Sequence, residues 1–212
     1  NNQKAGSSLL RAGSVESVAA WYTNWKHRRR VVIDSGQIDG DLSDFPVLVK
    51  LTRDCLDFEV AREDGFDVRF TAADGATPLD YERECHDARG GAAIYWVRLP
   101  LVSSSSDTTF YLYFGNPRAT DGANPAGVWA GDHAAVWHLG TSNGVSQADS
   151  TARGNHVSLY GPVDEGAPGI VGRAIGLSTN YLATPPGSFP TLDTTKGLTY
   201  SAWACPTNDA GT

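Results

Sequence analysis

The chain contains no methionine at any of its 212 positions, not even the first. The numbered sequence therefore reads as starting after processing or inside a longer polypeptide. Cysteine is scarce: Cys55, Cys85 and Cys205 show no close metal-ligand spacing, and an odd count excludes a fold built on a disulfide framework. In an oxidising compartment Cys55 and Cys85, which share the same half of the chain, are the pair expected to bridge. No stretch approaches the roughly 20 apolar residues of a membrane span. A net charge of −7 and a sequence pI of 5.1 argue against general binding to phosphate backbones, so nucleic acid is not an expected partner. Also missing are a phosphate-cradling P-loop and a dinucleotide fingerprint.

What is present reads as β-structure. Hydrophobic residues make up 41% of the chain, with 6 Trp, 8 Tyr and 7 Phe, enough for a packed core. The 23 Gly and 11 Pro fall between short apolar runs, the pattern of many strands joined by turns. From position 21 onward, "RRRVVID", "FPVLVKL", "FDVRFTA", "PLDYERE", "AAIYWVRLP" and "TTFYLYFG" are strand-length and rich in Val, Ile and aromatics. "DSGQIDGDLSD", "ADGAT", "DARGG", "SSSSD" and "GNPRATDG" punctuate them with turn chemistry. Two runs alternate in polarity as strands of an antiparallel sandwich do. The basic run Lys26 to Arg30 reads as the exposed start of an edge strand, with an anion site as its alternative.

The pattern restarts after a Gly/Pro/Asn-rich connection, which places a boundary near residue 130. The expected organisation is a linker or short helix over 1–20, a β-sandwich domain over 21–130, and part of a second sandwich over 131–212. Strand candidates in the last segment are "AAVWHL", "HVSLYG", "AIGLS", "YLATP" and "LTYSAWACP". The fold class is all-β: two antiparallel, jelly-roll-like sandwiches, the second incomplete within this chain.

The most pointed chemical feature is "DGFDVRFTAADGATPLDYE", from Asp64 to Glu82. A calcium loop of the EF-hand type needs oxygen ligands at alternate positions. Counting from Asp64 those positions hold Phe66, Val68 and Phe70; counting from Asp74 they include Ala76 and Pro78. The spacing rejects that loop. A hairpin fits better: Asp67 and Arg69 on one face of "FDVRF", a turn at Asp74-Gly75, and Asp80, Glu82 and Glu84 returning opposite them. The alternative is chemical. Glu82 and Glu84 share a strand face roughly 6.5–7 Å apart, a spacing that a glycan-active carboxylate pair also uses.

Other candidates are single residues or pairs. His138 in "VWHLG" reads as a core or inter-sheet residue, and His156 in "GNH" as part of a turn-rich motif. Asp149 and Asn155 in "ADSTARGNH" either cap a turn or form a ligand pair, for which calcium would be the cofactor. Trp25, Trp96, Trp137 and Trp203 sit in or beside apolar strands and read as core. Trp21 and Tyr22 either pin the N-terminal segment or present flat faces to a ligand.

Two resemblances extend the reading. "WYTNWKHRRRVVID", "DFPVLVKL", "DGFDVRFTAADGATPLDYERE", "AAIYWVRLP" and "TTFYLYFGNPRA" resemble a bacterial and archaeal surface-domain family termed domain of unknown function 2341. That resemblance implies a secreted or envelope setting, often beside a concanavalin-like sandwich and in some members fused to proton-channel proteins of the TolQ/ExbB type. It implies no activity. "AVWHLG", "ADSTARGNHVSLYG", "GIVGRAIGLS", "YLATPPGSFPTLD" and "LTYSAWACP" resemble the first part of a laminin-G/concanavalin A-like domain. The expected function is that of a non-enzymatic extracellular module for adhesion, surface assembly or glycan recognition within a larger protein or filament. Its partners would be glycans or neighbouring protein subunits, including further copies of itself. Two alternatives stand beside it: a structural subunit of a virion or surface fibre, and a glycan-active hydrolase or lyase on a β-sandwich.

Overall fold

A computed structural model describes residues 10–17, 22–140, 146–161, 164–177, 179–184, 195 and 197–206. The chain divides into two compact units: unit 1 comprises 1–136 and 150–154, and unit 2 comprises 137–149 and 155–212. The described secondary structure is almost entirely antiparallel strand, and the fold is an all-β sandwich.

Unit 1 is built from two sheets. One has the order β1 (Leu10–Ser17), β2 (His27–Ile33), β7 (Thr108–Phe114), β4 (Arg69–Thr71). The other has the order β3 (Leu42–Thr52), β6 (Ala92–Val102), β5 (Tyr81–Asp87). Alternation in sequence becomes alternation in burial. Along β6, Ala93, Tyr95, Val97 and Leu99 turn inward between more exposed neighbours. They join Val31 and Ile33 of β2, Phe70 of β4, and Phe110, Leu112 and Phe114 of β7 in one core. Phe70 sits at its centre, its ring centroid 5.5 Å from both Tyr81 and Tyr95 and 6.3 Å from Phe110. Fully burying each of these large side chains contributes about 1.5–3 kcal/mol.

Local irregularities have chemical causes. Opposite Pro100, which has no N–H to offer the ladder, Asp44 leaves the β3–β6 register and adopts φ 50°. Its carboxylate then pairs with Arg98 at 3.0 Å. Pro46 lies on β3, which among the described strands pairs with β6 alone and so stands at the margin of its sheet, where a missing amide is tolerated.

Three expectations change. Residues 10–17, read as linker or short helix, form β1, pairing antiparallel with β2 from Leu10↔Ile33 to Ser17↔His27. β2 is consequently interior, between β1 and β7, so the basic run opens a covered strand rather than an edge. Cys55, Cys85 and Cys205 are thiols, with Cys55 Sγ 3.9 Å from the Thr52 hydroxyl.

Unit 2 contains β8 (Ser146–Gln147), β9 (Val157–Tyr160), β10 (Asp164–Pro168), β11 (Arg173–Gly176) and β12 (Tyr181–Ala183). They form a sheet of order β12-β9-β8 and a separate β10-β11 ladder. "HVSLYG", "AIGLS" and "YLATP" thus supply strands as expected. "AAVWHL" and residues 198–206 do not; the latter carry no regular secondary structure and are exposed, with Trp203 70% exposed instead of buried in a core.

Candidate functional site

The acidic run turns back on itself only briefly and then crosses from one sheet to the other. Its first half, β4, pairs with β7; its second half, β5, pairs with β6 in the opposite sheet. The expected hairpin forms only beside its turn, through the Ala72 amide on the Thr77 carbonyl at 2.9 Å, the Thr71↔Pro78 bridge and the Leu79 amide on the Phe70 carbonyl at 3.0 Å. The turn itself has the anticipated chemistry. Gly75 takes φ 71°, and Asp74 Oδ1 accepts from the Ala76 and Thr77 amides, both at 2.9 Å. Hydrogen bonds from the Thr77 hydroxyl and these amides hold the Asp74 carboxyl below its usual range.

The predicted cross-strand charge pairs do not exist, because the crossover takes their partners to another sheet. Asp67, expected on a polar face, is fully buried. Its Oδ1 accepts from the Arg62 amide at 3.0 Å, and its Oδ2 from the Gly115 and Asn116 amides at 2.7 and 3.2 Å. Arg69 donates to the carbonyls of Phe66, Val68 and Thr120 and to the Tyr81 hydroxyl. Asp80 accepts from the Asn124 side chain at 2.8 Å. Asp64 forms a bidentate pair with Arg62, and that hydrogen bonding lowers its carboxyl to about 2.

Glu82 and Glu84 both receive tryptophan indoles. Trp129 Nε1 donates to Glu82 and Trp96 Nε1 to Glu84 at 2.6 Å, and the two indole rings pack edge-on at 5.2 Å. Glu82 is buried, and its other oxygen accepts from the Ser150 hydroxyl at 2.6 Å. Such an arrangement braces β5 against the segments carrying Trp129 and Ser150, both in unit 1. The carboxylates are acceptors for structural donors, which leaves less of their lone-pair capacity for a sugar or a water.

Tyr22 packs on Trp25 at 4.9 Å and on the buried Tyr113 at 5.2 Å, while Trp25 Nε1 donates to the Asp67 carbonyl. That geometry pins the chain entering β2. Trp21 lies outside the described residues. In unit 2, Asp149 and Asn155 are both buried and meet each other: Asp149 Oδ2 accepts from the Asn155 amide at 2.9 Å. The Asp149 amide in turn donates to Nδ1 of the exposed His156 at 2.9 Å, and Trp137 Nε1 donates to the Asn155 carbonyl at 2.8 Å. Of these contacts, the Asp149 carboxylate on the Asn155 amide is a side-chain oxygen capping a turn, while the acceptors of the other two are a ring nitrogen and a backbone carbonyl. Among the described residues no three His, Cys, Asp or Glu side chains converge as a metal-holding group. His138 is half-buried.

Sequence reading passed over one pair. Tyr160 of β9 and Tyr181 of β12 face each other in register and stack at 4.9 Å with 9° between ring planes. They remain 43% and 57% exposed. Each was visible as an aromatic at the end of a strand, but their juxtaposition depends on the β9–β12 register, which no local signal gives. Tyr200 at 81% and Trp203 at 70% add further exposed aromatics to unit 2.

No curated protein and no solved structure matches the chain. One family model does, over residues 64–137, a span that begins in the acidic run and includes β4, β5, β6 and β7. That segment is therefore similar to the family described as Domain of unknown function (DUF2341).

Proposed function

We propose that the chain is a non-enzymatic module of a secreted or surface-displayed protein, working in adhesion or surface assembly through the aromatic-rich surface of unit 2. The observation that carries this reading is the contrast between the units. Unit 1 packs its tyrosines and phenylalanines into a core and ties its buried carboxylates to amides and indoles. Unit 2 leaves Tyr160, Tyr181, Tyr200 and Trp203 in solvent, together with Ile170, Leu177 and Leu198. Exposed large apolar side chains of this kind mark interaction surfaces, and Tyr and Trp are the residues that most often anchor them. On this reading unit 2 is a laminin-G/concanavalin A-like element, and its partner is a neighbouring protein subunit.

A second reading is favoured by one observation. The stacked Tyr160–Tyr181 pair offers aromatic faces of the type that hold sugar rings, which supports glycan recognition. Sedimentation velocity over a wide concentration range and a glycan array, each with and without chelator, separate the two. Concentration-dependent self-association supports assembly, and selective glycan signals support the second reading. A chain that stays monomeric and binds no glycan sinks both.

A further inference from the structure

We draw no further inference here: the strongest candidate, the exposed sheet face across β9 and β12 that carries the stacked Tyr160–Tyr181 pair, belongs to the surface already proposed for recognition, and nothing in the structure shows what covers it.

Discussion

Replacing Asp67 by alanine is the sharpest perturbation of unit 1. The carboxylate is fully buried and serves the amides of Arg62, Gly115 and Asn116, so its removal strands three donors. Each unmet buried donor costs about 1–3 kcal/mol, reduced where water can enter. Alanine also relieves the desolvation of a buried charge, which works in the opposite direction. Deleting one side of a buried charged interaction still typically costs about 3–5 kcal/mol, so the stranded amides win. We expect a loss of about 3 kcal/mol or more, a large share of the roughly 5–15 kcal/mol that holds a domain together. Urea unfolding followed by tryptophan fluorescence reads this directly, since Trp25 Nε1 donates to the Asp67 carbonyl. In thermal unfolding the midpoint should fall by about 10 °C or more. Asp74→Ala, at an exposed turn, should have a far smaller effect. A stability change in Asp67→Ala below about 0.5 kcal/mol would refute the view that this carboxylate is structural.

Three further outcomes follow from the same geometry. Gly65 adopts φ 67°, and a Cβ there would come within 2.7 Å of the His86 ring and 2.8 Å of the Tyr95 hydroxyl. Gly65→Ala should therefore lose about 1–2 kcal/mol to backbone strain and about 1–3 kcal/mol to overpacking, measured by denaturant titration. His86, hydrogen-bonded to Tyr95 at 2.9 Å, has its imidazole lowered from 6.5 by burial and by Arg83, against the opposing pull of Asp67 and Asp64. The unfolded chain thus takes up the proton more readily, and stability should decline as pH falls through 6.5; a titration of unfolding free energy shows a shallower slope in His86→Gln. Glu82→Gln replaces one of two acceptor oxygens facing Trp129 and Ser150, and should cost about 1–3 kcal/mol with a change in tryptophan emission.

Much of unit 1 was legible because burial there follows strand alternation. The run that became β6 shows it from Ala92 to Leu99, and its propensity agrees with its packing. Sheet membership was not legible. Asp74-Gly75 is equally good chemistry for a hairpin and for a crossover, so β4 and β5 were read as partners although they belong to opposite sheets. The same error put Asp67 on a polar face, when its three amide donors come from loops 5 to 49 residues away in sequence. β1 was missed because small polar residues carry weak strand propensity, and its pairing is supplied by the β2 backbone. Residues 198–206 erred the other way. Their aromatic composition is strand-like, yet they pair with no strand among the described residues, and Trp203 lies in solvent. The Trp129 and Trp96 indoles that donate to Glu82 and Glu84 come from outside β5, so the spacing of the two carboxylates along the strand gave no sign of them.

The central claim assigns scaffolding to the carboxylates of unit 1 and recognition to the exposed aromatics of unit 2. Sedimentation velocity on two double variants, Glu82→Gln with Glu84→Gln and Tyr181→Ala with Trp203→Ser, tests it most directly. The account predicts that concentration-dependent association persists in the first, at concentrations where it remains folded, and disappears in the second. Association lost in the carboxylate variant and kept in the aromatic variant would contradict it.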